Sequence, residues 1–168
     1  MSARTFRVSC QLVLLMLMLL FTKVRRQMLH ILCDCSNEDV CKINEVRVDP
    51  CRNGRICVFP QGSNASLAFD FTPNFSTSNL KTMVYWAQST SDMEFAGFGS
   101  DNACDYTSCP TVAGQTQTLN YNLHVGRRLP KKLYPLKWKI WNPENSDQKC
   151  CFRITINLTS PKKRMQSN

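Results

Sequence analysis

At 168 residues the chain is long enough for one domain with a sizeable core, and ten cysteines with three Asn-x-Ser/Thr triplets exclude a protein built for the reducing cytosol. Five basic residues (Arg4, Arg7, Lys23, Arg25 and Arg26) and no acids fall in the first 32 positions. The net charge of +9 therefore drops to +4 for the remainder, with 16 basic against 12 acidic residues, and gives no ground for a nucleic-acid partner.

Arg4 and Arg7 precede ten consecutive apolar residues, Leu12 to Phe21, in the layout of a signal peptide. The run is too short to span a bilayer, which needs about 20 residues. Thr22 to Arg26 contains no small-x-small cleavage site, so a retained signal anchor is the competing expectation. Lys23-Val24-Arg25-Arg26 reads as a flank or as a processing site. The expected division is a leader over 1–32, a folded domain over 33–160 and a basic tail over 161–168.

Beyond the leader the apolar pattern has a period of two, the signature of strands with one buried face. A short segment, Val46 to Val48, comes first. Leu67, Phe69 and Phe71 then alternate with Ala68 and Asp70, and Leu80 to Ala87 forms a more continuous run. Leu119, Tyr121, Leu123 and Val125 alternate with Asn120, Asn122 and His124. Leu136, Trp138 and Ile140 alternate with lysines, and Phe152, Ile154, Ile156 and Leu158 alternate with Arg153, Thr155 and Asn157. No amphipathic helix is present to cover the apolar faces, so a second sheet must. The expected fold is all-β, a sandwich of about six to eight strands. Pro60, Pro73, Pro110, Pro130 and Pro143 fall between the runs; Pro135 lies inside one and marks an edge or a bulge. The glycosylation acceptors Asn64 and Asn74 lie in loop-like stretches and Asn157 on the polar side of the last strand, all three compatible with attached glycans.

No enzyme is expected. His124 is the one histidine after the leader, and its parity points it to solvent, whereas nucleophilic triads need a positioned base. Cys33, Cys35 and Cys41 lack paired zinc-ligand spacing, so neither metal nor other cofactor is expected.

The residues that carry a family resemblance come in order along the chain. They are V-R-V-D-P-C (Val46 to Cys51), Cys57, F-D-F-T-P (Phe69 to Pro73), A-C-x4-C-P (Ala103 to Pro110), Leu123 with Val125, Leu129-Pro130, Trp138, and C-F-x-I-x-I (Cys151 to Ile156). Together, over about residues 35–159, they resemble the ML domain, closest to its Niemann-Pick type C-2 sterol-carrier branch. The resemblance implies an immunoglobulin-like β-sandwich of two antiparallel sheets with a lipid pocket between them. It implies Phe95, Val125 and Leu129 as pocket-lining residues, with Trp138 farther in. Leu129 stands where that branch carries Tyr, and glycines replace prolines in the loop after Phe95, which favours a less sterol-shaped pocket.

The expected activity is secretion, with delivery outside the cell or to the lysosomal lumen, and the holding of a sterol or other apolar lipid for transfer. The alternative is recognition of a microbial or signal lipid and its presentation to a receptor. Arg127, Arg128, Lys131 and Lys132 flank the expected pocket as an ordinary solvated turn or as contacts to a headgroup or membrane surface. Among the cysteines, Cys51–Cys57 and Cys104–Cys109 are expected to close short loops, and the resemblance implies Cys35–Cys151. Cys150, on the opposite side of its strand, is assigned to Cys41. Either Cys33 is trimmed with the leader or one thiol stays free.

Overall fold

The computed structural model describes residues 37–51, 56–87, 91–95 and 99–161. Among these lie seven strands: β1 (Cys41–Asp49), β2 (Ile56–Pro60), β3 (Asn64–Pro73), β4 (Lys81–Trp86), β5 (Gln117–His124), β6 (Leu133–Asn142) and β7 (Asn145–Thr159). They form a three-stranded sheet in the order β1-β3-β5 and a four-stranded sheet in the order β2-β7-β6-β4. One 3-10 turn, Ala103–Asp105, sits in the β4–β5 connection. The expected two-sheet sandwich is what the chain forms. Its second sheet is mixed rather than wholly antiparallel, because β2 runs parallel to β7.

The inward residues of both sheets meet in one core. Phe69 and Phe71 of β3, Leu119 and Tyr121 of β5, Trp138 and Ile140 of β6, and Phe152 and Ile156 of β7 are all buried, on the faces that the alternation assigns. At the centre Phe69 packs edge-on against Trp138 and Phe152, with ring centroids 5.9 and 4.9 Å away, and Trp138 lies parallel to Phe152 at 6.2 Å. Such offset and T-shaped pairs suit the ring quadrupoles and stiffen the packing.

Two departures from simple alternation have local causes. In β1 the register shifts between Ile43 and Glu45, so Asn44 is an extra residue and the inward set changes from Ile43 to Val46 and Val48. The displaced Asn44 donates from Nδ2 to Thr72 Oγ1 at 2.7 Å. Pro135 marks neither a bulge nor an outer strand: β6 lies between β7 and β4. Its carbonyl accepts from Ala87 N–H, one residue past the end of β4, and its nitrogen points to that same side. The missing N–H therefore costs one bond, the reciprocal of the Ala87 bond, at the point where β4 ends.

Three disulfides tie the described residues. Cys51–Cys57 and Cys104–Cys109 close short loops, with Cα atoms 4.9 and 5.5 Å apart. Cys41–Cys150, at 5.1 Å, links β1 to β7 across the two sheets. Cys151 is also disulfide-bonded, while its expected partner Cys35, like Cys33, the leader and the tail beyond residue 161, lies outside the described residues.

On the outer face of the first sheet Arg47 grips Asp70 with two bonds, of 2.6 and 2.8 Å, and Thr118 donates to the same carboxylate at 2.7 Å. The Arg47 bonds, followed by the Thr118 bond, lower the Asp70 pKa from 3.8 to about 2. A depressed carboxylate pKa stabilises the fold above the unfolded value and loses that contribution as pH falls through the folded one. Asp70→Asn should therefore destabilise the protein at neutral pH by about 1 kcal/mol or less, the scale of a partly exposed pair. The deficit should vanish between pH 4 and 2 in thermal melts.

Candidate functional site

Cys41–Cys150 joins the first residue of β1 to the early part of β7, whereas Val48 of β1 and Ile154, Ile156 and Leu158 of β7, which line cavities, lie toward the opposite ends of these strands. Two apolar cavities lie at that far end. The inner one, about 60 Å³, is walled by Val48, Phe59 and Leu67 and closed beneath by Tyr121 and Trp138. The outer one, about 210 Å³, is bounded by Val125, Leu129 and Leu158. Phe95, Leu123 and Ile156 line both, so they form the partition between mouth and interior.

Each wall is held by backbone and side-chain bonds that the strands supply. Phe95 donates its N–H to Val84 O at 2.8 Å and Trp86 to Met93 O at 2.9 Å, which pairs the segment carrying Phe95 with the free edge of β4. The Phe95 ring then packs against Trp86 and Tyr134 at 5.2 and 5.8 Å. Val125, fully buried, extends the β5 pairing by donating to Ser63 O and accepting from Gly62 N–H. Gly62 has a φ of +76°, which a side chain at this turn would strain, so the turn requires glycine. Gln61 Nε2 donates to the carbonyl of Leu129, fastening the β5–β6 connection to the same turn.

Trp138 forms the floor. Its indole N–H donates to Thr82 Oγ1 at 2.9 Å, and Thr82 in turn donates to Lys139 O at 3.3 Å, so the ring's polar atom is satisfied inside the core. Beside it Tyr121 accepts from Gly99 N–H at 3.2 Å, and burial raises its pKa. No charged side chain lines the inner cavity. This lining can exclude water and take up hydrocarbon, with the side-chain hydroxyls of Ser66 and Tyr121 among its few polar groups. His124, hydrogen-bonded to Asn64 Oδ1 at 2.8 Å, is exposed at the rim.

Phe95, Val125, Leu129 and Trp138 are thus brought to one end of the sandwich, the first three at the mouth and Trp138 deeper. The four basic residues share the exposed β5–β6 connection but diverge. Lys132 Nζ lies over the Trp86 and Tyr134 rings at 5.3 and 5.2 Å, and Lys131 reaches Ser160 Oγ. Arg127 lines a separate groove with Gln61, Asn64 and Pro161, and Arg128 is solvent-exposed. Sequence reasoning gave Thr82 no role, since a lone Thr in an apolar strand carries no signal of its partner. It also passed over Phe59, whose strand is only five residues long.

The ML domain family matches this chain over residues 31–158. The chain belongs to the ML-domain family. Within reach by sequence is an MD-2-related lipid-recognition protein of Manduca sexta, 43% identical over 137 residues that cover 82% of this chain and 89% of the relative. The mite group 2 allergen Eur m 2 of Euroglyphus maynei is 28% identical over 98 residues, 58% of this chain and 65% of the allergen. Among solved structures, a Niemann-Pick type C2 protein from the Japanese carpenter ant superposes with a TM-score of 0.64 at 17% identity, covering 74% of this chain and 96% of that one. The immunoglobulin-like architecture of this ML domain is shared with that structure.

Thr82→Val removes the acceptor that satisfies Trp138 and should lower stability by about 1–3 kcal/mol, the cost of an unpaired buried donor. Denaturant unfolding would measure the loss, and a changed near-ultraviolet tryptophan signal would show that the cavity floor has moved.

Proposed function

We propose that this ML domain is a secreted lipid-binding protein that holds the hydrocarbon part of a lipid between its sheets, admitted at the end opposite Cys41–Cys150. The observation that carries this reading is the uncharged inner cavity, separated by Phe95, Leu123 and Ile156 from a wider apolar mouth. Hydrocarbon removed from water contributes about 25 cal/mol per Å², so such a lining needs only shape to bind. Pockets that enclose small molecules measure about 300–1,000 Å³. The inner cavity of about 60 Å³ is far below that, and occupancy requires its walls to move apart.

A flexible acyl chain can enter a narrow cleft one methylene at a time, whereas a rigid ring system must displace several walls together. Leu129 at the mouth removes the flat aromatic face that would favour a sterol. These points support an acyl-chain lipid over a sterol, and the Manduca sexta relative, named for lipid recognition, supports recognition over bulk transfer. The disulfides support secretion to the extracellular space, or delivery to the lysosomal lumen, since either compartment lies beyond the reducing cytosol. Arg127 and Arg128, which form no ion pair among the described residues, are the basic residues best placed for a headgroup or membrane surface, with Lys131 and Lys132 engaged by their neighbours.

Titration with a fluorescent fatty acid and a fluorescent sterol tests the reading directly. The fatty acid should bind more tightly, and tighter sterol binding would restore the sterol-carrier reading. Val125→Phe should fill the mouth and abolish binding while the protein stays folded. In a close-packed core the same change would overpack and cost about 1–3 kcal/mol, visible as a lowered melting temperature. A wild type that binds neither probe would remove the lipid-binding reading.

A further inference from the structure

The outer face of the four-stranded sheet places a glycosylation acceptor in the middle of an apolar stripe. Parallel pairing sets Val58 of β2 opposite Asn157 of β7, and antiparallel pairing sets Leu133 of β6 opposite the same Asn157. Val58 and Leu133 are 48% and 51% exposed, and Ile56, two residues back along β2, is 46% exposed. All three stand on the outward parity, since Cys57, Phe59 and Tyr134 point into the core. They are three of the five large apolar side chains exposed among the described residues.

The three acceptors differ in how their amides are used. Asn64 Oδ1 is bonded to His124, and Asn74 Nδ2 donates to Asp39 O at 2.7 Å. The Asn157 amide makes no hydrogen bond among the described residues, and it points outward from the sequon Asn157-Leu158-Thr159. β2 is also an edge strand, with one side of its backbone unpaired by any neighbour among the described residues. An apolar, unpaired edge invites association with another chain unless something covers it.

We propose that Asn157 carries an N-linked glycan that lies over Val58, Leu133 and Ile56 and shields both the stripe and the β2 edge. The sugar's C–H faces contact the aliphatic side chains while its hydroxyls face water, so a bulky, solubilising group sits where the sheet is least soluble. This inference rests on the secretory reading given under Proposed function.

Glycopeptide mapping of protein secreted by a eukaryotic cell tests occupancy at each acceptor. Occupied Asn157 is the expected result. Asn157 bare in the secreted protein, whatever the state of Asn64 and Asn74, would overturn this inference and leave secretion standing, whereas a chain that never enters the secretory pathway would overturn both. The covering role is read from Asn157→Gln and Thr159→Ala, and from enzymatic trimming of the folded wild type in case a variant fails to fold. Each should give concentration-dependent self-association and a several-fold rise in hydrophobic-dye fluorescence, reversed by adding Val58→Lys with Leu133→Lys. A deglycosylated protein that stays monomeric and dark to the dye would refute the covering role.

Discussion

The Cys41–Cys150 bridge decides where this sandwich can open. It closes a loop of 109 residues, and on the chain-entropy account a crosslink of that span contributes about 4 to 5 kcal/mol. Its position matters as much as its strength. By fixing the start of β1 against β7 it holds the sheets at close-packed separation on one side, and the stacked rings of Phe69, Trp138 and Phe152 continue that packing through the middle. The strands then run on past that bridge, and the two apolar cavities lie there.

The outer cavity is bounded by connections rather than by paired strands alone. Its walls depend on hydrogen bonds between turns, Gln61 to Leu129 and Gly62 to Val125, and on aromatic contacts of Phe95 with Trp86 and Tyr134. Each contributes on the order of 1 kcal/mol, so several can rearrange for less than the hydrocarbon gain of burying a lipid chain. Beside the mouth Cys51–Cys57 ties the far end of β1 to β2, so the walls left to rearrange around a ligand are the turns after β2 and β5 and the segment carrying Phe95.

The fold was legible because antiparallel strands with one wet face must alternate, and β3, β5, β6 and the end of β7 do so without interruption. Where alternation failed as a guide, the reasons are physical. The Asn44 bulge moves the inward set of β1 from odd to even positions, which left only Val46 to Val48 visible. β2 offers two inward side chains, too few to establish a period, and its parallel pairing with β7 is a long-range choice with no local mark. The first turns of β7 carry polar residues on both faces because they project beyond the core.

The site was less legible than the fold, since an inward Leu123 or Ile156 reads identically whether it touches another side chain or faces a void. Phe95, Val125 and Leu129 were found through family resemblance, and nothing in their own spacing distinguished them. Leu67, Tyr121, Leu136 and Ile154 were placed inward by parity and are distinguished from closed core only by lining the inner cavity. A void is a property of backbone separation, which no single residue's spacing along the chain records. Substitutions at the mouth should accordingly act on ligand shape, while substitutions around Trp138 and Thr82 act on the rigidity of the floor against which any ligand must pack.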